Sequence, residues 1–271
     1  DRHITVVATD ITGNALDSLS TQVTVGEAAS AFATVVAGTL TLTGNPGSTA
    51  ATVNLPAMTV STPSGHMAVA GDPIFTAANV DAHLATGVNV TVIGNTGINN
   101  ITGSSGNDIL MGGGGTDVIS GGAGNDRITW QAGSTLDGGE GTDTLVVTGT
   151  FDLTAPGATL SGFEVIDASG AAAGVTLTGD ANAQTLVGGN FNDTLKGGGG
   201  GDVLTGGLGR DTFDVSETGT AIGSAVAISD LALGDSIKLG AAPIPWNVQN
   251  IGGFNFLVFD VSGTNHYVNL G

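Results

Sequence analysis

A glycine-rich turn followed by aspartate returns every nine residues in two stretches of this chain, and few folds can accommodate it. The first stretch lies around residues 94–146 and carries Asp108, Asp117 and Asp126; the second, residues 179–214, carries Asp193, Asp202 and Asp211. Glycine reaches positive φ without steric penalty, so each turn can reverse sharply and direct its carbonyls toward a common centre. After each aspartate come three residues with a large apolar one in the middle. Side chains alternate faces along a strand, so that middle residue points inward. Leu110, Ile119, Ile128, Leu145, Leu186, Leu195, Leu204 and Phe213 are thereby expected to form a narrow ladder core. Two units make one coil, which places turns 18 residues apart on the same edge, Asp108 against Asp126 and Asp193 against Asp211. The expected fold is all-β, a parallel β-roll or β-solenoid in two tracts.

In the first tract the units run Gly103 to Met111, Gly112 to Ser120 and Gly121 to Thr129; in the second, Gly188 to Lys196, Gly197 to Thr205 and Gly206 to Asp214. Stacked strands lie ~4.8 Å apart, so aspartates along one edge crowd each other. Two such charges repel by roughly 3 kcal/mol at an effective dielectric of ~20. That repulsion opposes folding unless a cation sits between them. Carboxylate and carbonyl oxygens suit a hard divalent ion, and flexible high coordination favours Ca2+ over Mg2+. Uptake of several ions then becomes part of the folding free energy.

The candidate ligands in the first tract are Gly103, Ser105, Asn107, Asp108, Gly112, Gly114, Thr116, Asp117, Gly121, Ala123, Asn125 and Asp126. In the second they are Gly188, Asn190, Asn192, Asp193, Gly197, Gly199, Gly201, Asp202, Gly206, Leu208, Arg210 and Asp211. Several positions depart from the pattern. Asn99 and Gln184 replace the aspartate in the first unit of each tract, offering an oxygen without a charge. Asn182 and Phe191 stand where the fourth glycine belongs. Asp143 is also a candidate ligand, but it follows Asp126 by 17 residues, so the register slips around Gly133. Asp137, Glu140 and Asp180 are nearby acids outside the strict pattern.

The rest of the chain divides around these tracts. Residues 1–75 read as β-rich, with alternation at His3–Ala8, Thr21–Val25 and Thr39–Thr43, either as solenoid coils or as the edge of a sandwich. Residues 76–146 combine a short helix with the first tract. The helix is expected over 76–86: Thr76 caps it, Phe75 packs on Val80, Val80 and Leu84 share a face, and Gly87 stops it. Its role is to cover the first open coil. Residues 147–178 read as a solenoid connector with plain turns, carrying Phe163–Ile166 and Val175–Leu177. Residues 179–214 hold the second tract, and 215–271 a C-terminal β cap with strands near Ile228–Leu239 and Phe254–Val261 and a loop at Pro243–Trp246.

Composition removes several partners. The formal net charge is -19, with five Lys and Arg against 24 Asp and Glu. No basic footprint exists for nucleic acid, and an anionic membrane surface is disfavoured for the same reason. There is no cysteine, so disulfides and thiolate metal sites are excluded. No apolar run is long enough for a transmembrane helix. The opening Asp1, without methionine or a signal-peptide pattern, reads as a fragment or processed form.

The two tracts resemble the haemolysin-type calcium-binding (RTX) repeat family. The resemblance implies type I secretion, with folding outside the cell, where sites of ~10⁻⁴–10⁻³ M affinity fill with calcium. Ile228–Ile237 is similar to the family's exit into a secretion-competent cap, and Leu160–Gly170 to segments between arrays in RTX-type surface-layer proteins. The expected function is therefore a calcium-dependent structural piece of a bacterial surface-layer lattice, associating with itself and with cell-surface polysaccharide. The alternatives are a folding and secretion module of a hydrolase, epimerase or toxin, or an adhesin segment. No enzyme is expected here, because His3, His66, His83 and His266 form no H-E-x-x-H pair and no G-x-S-x-G elbow occurs.

Overall fold

The computed structural model describes the strands between residues 2 and 84, then residues 87–155, 159–216, 226–239, 246–261 and 264–270. Side-chain surroundings are described from residue 80 onward. Every element among these residues is a strand. No helix there is long and apolar enough to cross a membrane. The expected staple at Phe75 and cap at Thr76 and most of the Pro243–Trp246 loop lie outside the described residues.

The short strands follow from the nine-residue period. Ile109–Met111 pairs in parallel with Arg127–Thr129, Leu110 opposite Ile128. Nine residues along, Asn100–Thr102 pairs in parallel with Val118–Ala123, Ile101 opposite Ile119. One coil thus contributes one strand to each of two facing sheets, and its apolar residues meet between them. The eight expected ladder residues are all at most 2 % exposed. Ile101 and Leu136 in one half of the chain, and Ile166 and Leu177 in the other, are buried at the same inward strand position outside the aspartate-marked units. Each fully buried aliphatic side chain contributes roughly 1.5–3 kcal/mol.

The chain forms two compact units, residues 1–144 with 159–162, and 145–158 with 163–271. In the first, Thr39–Thr43 and Ala50–Asn54 pair in parallel with Asn79–Leu84 and Asn89–Ile93, so they are coils of the roll. Antiparallel strands flank them: Phe32–Val36 on one sheet, Thr59–Thr62 and Gly65–Ala68 on the other. Arg2–Val6 pairs antiparallel with Thr21–Val25. In the second unit the connector strands Val165–Asp167 and Thr176–Thr178 stack in parallel on Thr185–Gly189 and Thr194–Lys196, as plain-turn coils. Val226–Ile228 and Ser236–Lys238 add one further level. Trp246–Ile251, Phe254–Val261 and Thr264–Asn269 form an antiparallel cap, joined to Val226–Ile228 through its last strand.

The expected capping helix over 76–86 is overturned: Asn79–Leu84 is a strand of the roll. Val80 pairs with Leu40 on one side and Ile101 on the other. Val80 and Ala82 are buried while Asp81 between them is half-buried. The spacing of Val80 and Leu84 fits a period of two as well as a helical turn. Ladder hydrogen bonds from strands on both sides decide between them.

Candidate metal centre

Glycine is required in these turns for two different reasons. In the unit beginning at Gly121, Gly122 has φ 110° and Gly124 φ 114°, a backbone region closed to most side chains. Gly121 itself needs no such freedom. A methyl group there would overlap the Asp126 carboxylate and the carbonyl oxygen of Gly138 in the next coil. The first glycine therefore keeps space clear beside the aspartate, and the second and fourth bend the chain.

The aspartates are held in a ladder. One oxygen, Oδ1, accepts the backbone N–H of the corresponding residue one coil earlier. Asp126 accepts from Asp108 at 2.8 Å, Asp143 from Asp126 at 2.7 Å and Asp108 from Val90 at 2.6 Å. The second tract repeats this, Asp193 accepting from Val175 and Asp211 from Asp193, each at 2.8 Å. Asp117 accepts from Asn99 and Asp202 from Gln184, each at 2.9 Å. Asp143 thus sits on the same edge as Asp108 and Asp126 despite the 17-residue spacing.

The other oxygen is the chemically informative one. Oδ2 of Asp117, Asp126, Asp193 and Asp202 is buried without a hydrogen-bond partner. An anionic oxygen buried in that way is costly unless a charge compensates it. The space it borders also holds a main-chain oxygen: Gly121 beside Asp108, Gly138 beside Asp126 and Gly206 beside Asp193. Among the described residues, no three His, Cys, Asp or Glu side chains gather at one point. The donor set is thus one carboxylate oxygen with carbonyl oxygens from adjacent turns. It contains neither nitrogen nor sulfur, and it suits a hard cation such as Ca2+.

Burial dominates the electrostatics. It raises the carboxyl pKa of Asp108, Asp117, Asp193 and Asp211 above the ordinary value. Asp126 is pushed up to about 7, by burial first, with the Asp108 N–H opposing and the charges of Asp108 and Asp143 adding. Asp202 reaches about 6, again chiefly through burial. This revises the expectation that repulsion between stacked carboxylates is the main obstacle. Loss of hydration is larger, because Oδ2 faces the interior of the stack instead of water.

The remaining predicted positions separate by depth. The first-position glycines and the aspartates are buried, whereas Ser105, Thr116, Asn125, Asn190, Leu208 and Arg210 are exposed. The side-chain oxygens of Asn107, Asn125 and Asn192 accept backbone N–H groups from Asn125, Thr142 and Arg210, leaving their carbonyls as the candidate ligands. Asp180 is engaged by Asn182 and Gln184. Burial acts to raise its pKa, but these hydrogen bonds outweigh that and lower it. Asp137 accepts the Ser161 hydroxyl at 2.8 Å, and Glu140 is exposed.

Four residues escaped the sequence reading. Ser104 donates its N–H to Asp108 Oδ2 at 2.5 Å, and its hydroxyl lies 2.6 Å from the Val88 carbonyl oxygen and 3.0 Å from Asp108 Oδ1. Ser134 takes the aspartate's place opposite Asp117, accepting its N–H at 2.9 Å. Asp235 accepts from Asp211 at 2.9 Å, and Asp230 from Gly206 and Gly207 at 2.9 and 2.7 Å. A 17-residue step conceals Ser134 and a 24-residue step conceals Asp230 and Asp235 from any search at fixed period.

Fold and turns together define a parallel β-roll with stacked acidic edges shaped for a cation. More particularly, the RTX calcium-binding nonapeptide repeat matches residues 93–128 and 178–213 in four copies. These two segments belong to that repeat family, whose members bind Ca2+ at several sites. A search among curated proteins finds no relative of this chain.

Proposed function

We propose that this chain is the calcium-dependent structural region of a secreted bacterial cell-surface protein, released by type I secretion and serving in a surface-layer lattice. The carrying observation is the set of buried Oδ2 atoms at Asp117, Asp126, Asp193 and Asp202, which have no hydrogen-bond partner and suit a cation. A roll of this kind is unfavourable where calcium is scarce and favourable where it is abundant, which couples folding to arrival outside the cell. Proteins carrying RTX repeats are generally secreted, in keeping with that coupling.

The lattice reading rests on the Ala-, Thr- and Gly-rich composition across the whole chain and on its antiparallel cap. Trp246–Ile251 is the outermost strand there, with Trp246 63 % and Val248 54 % exposed. An outer strand offers main-chain groups to a second copy. Catalysis has no support in this reading: His266 stacks on Phe259 at 5.4 Å as a packing residue. The alternative, a folding and secretion module, draws on the extra coil that carries the ladder from Asp211 to Asp235 before the cap begins.

Electron microscopy with and without Ca2+ separates the two. Ordered two-dimensional sheets that dissolve on chelation are expected of a lattice protein. Particles that remain monomeric in calcium would reject the lattice and leave the module.

A further inference from the structure

The two edges of each roll are not equivalent. In the first tract one edge stacks Asp108, Asp126 and Asp143, each linked to the next through an N–H to Oδ1 bond. The opposite edge stacks Asn99, Asp117 and Ser134, a single carboxylate between two neutral residues. The second tract has the same asymmetry. Asp193, Asp211 and Asp235 line one edge. On the other, Gln184 precedes Asp202, and the register of Val203 on Ala227 sets Val226 above it.

The spaces beside these residues differ in charge. On the three-carboxylate edges, the gap at Gly121 is bordered by Asp126 Oδ2 and the Gly138 carbonyl oxygen, and the gap at Gly188 by Asp193 Oδ2 and the Gly206 carbonyl oxygen. On the opposite edges the gap at Gly94 is bordered by Asn99 Oδ1 and the Gly112 carbonyl oxygen, and the gap at Gly179 by Gln184 Oε1 and the Gly197 carbonyl oxygen, so the edges differ in charge and not in carbonyl supply. Asp117, Asp126, Asp193 and Asp202 are at most 3 % exposed, and all four have a buried Oδ2 without a hydrogen-bond partner. A cation is thus called for on both edges, but only one edge supplies a second carboxylate level.

We infer that each tract carries two unequal classes of calcium site: a tight class along Asp108–Asp126–Asp143 and Asp193–Asp211–Asp235, and a weaker class at Asp117 and Asp202. The inference rests on the calcium reading and adds to it. It also assigns working roles to the Gly138–Asp143 turn and to Asp235, both outside the matched repeats. The reason is charge count. Calcium affinity rises with the number of anionic ligands, and the tight edges hold more of them.

The test is calcium titration of the whole chain by calorimetry, with equilibrium dialysis to count ions. Wild-type protein should require two classes separated by at least about tenfold in Kd, the scale on which ligand charge tunes such sites. Asp126→Asn and Asp193→Asn should each remove capacity from the tight class, and Asp117→Asn and Asp202→Asn from the weak class. Ser134→Asp supplies the missing carboxylate opposite Asp117 and should move one ion from the weak class to the tight one. It removes no ligand, so it remains informative if an asparagine variant misfolds. Wild-type protein that takes up no Ca2+ would sink the calcium reading itself. A single class in which the four asparagine variants behave alike, with Ser134→Asp unchanged, would overturn the two-edge assignment while leaving calcium binding intact.

Discussion

The two repeat tracts begin alike and end differently. Each opens with an amide in the aspartate position, Asn99 held by Asn95 in the first and Gln184 held by Asp180 in the second. The first tract closes by losing a residue, so that Ser134 arrives 17 positions after Asp117. The second closes by gaining several, so that Asp235 arrives 24 positions after Asp211. The strands register correctly in both: Leu136 lies opposite Ile119, and Ile237 opposite Phe213. What a coil must conserve is the inward apolar residue and an acceptor for the N–H below. Its length can vary, because turns absorb the difference at the surface.

Metal removal bears most heavily on that comparison. Each filled site stabilises the fold by about 2.7 kcal/mol at a hundredfold excess of calcium over Kd, and several sites act together. Chelation is expected to lower the melting temperature by more than any single substitution and to reduce the strand signal in circular dichroism. Unchanged spectra and melting in the chelated protein would remove the cation from the folding argument.

Next in size are the ladder residues. Ile128→Ala in the first tract and Leu195→Ala in the second each open a cavity between the sheets, at a cost of about 2–5 kcal/mol. Denaturant unfolding monitored with calcium present measures both. Equal losses mean equally tight packing. A markedly smaller loss in one tract marks it as the looser stack.

Smaller effects are expected from single ligands. Asp117→Ala and Asp202→Ala should each reduce calcium uptake in calorimetric titration and lower thermal stability modestly. If both leave the titration unchanged, the assignment of those carboxylates as ligands is wrong.

Acidity has the smallest effect, with opposite signs in the two metal states. Asp126 and Asp202 have pKa values raised to about 7 and about 6 in the folded chain. A raised carboxyl pKa means that the folded state binds the extra proton. Its stabilising contribution is complete below the unfolded value, and it is lost as pH rises through about 6 and then about 7. The chelated protein should therefore melt higher at pH 5 than at pH 8; Asp180 and Asp214, with lowered values, change their contribution only at more acid pH. Calcium-loaded protein should show the reverse, since protons compete with the metal. Melting curves across that range decide.

The repeat made much of this legible beforehand. Period nine named the inward ladder from Leu110 to Phe213 and the stacking of Asp108 on Asp126, because a three-residue strand behind a rigid turn leaves its side chains little choice. The sequence could not show that the strand at Asn79–Leu84 would replace a helix, since Val80 and Leu84 satisfy either period. Nor could it place Ser134 and Asp235, which depart from the period and enter the ladder only through neighbours one coil away.

By itself, then, the sequence determined the local unit: glycines where φ must be positive, one aspartate per turn, one apolar residue per strand. Tertiary structure alone decided which off-period residues join an edge, and hence which carboxylates stand three deep and which stand singly. The physical reason is range. Turn conformation is settled within nine residues, whereas the burial and company of a carboxylate depend on chain 17 to 24 residues distant that stacks directly against it.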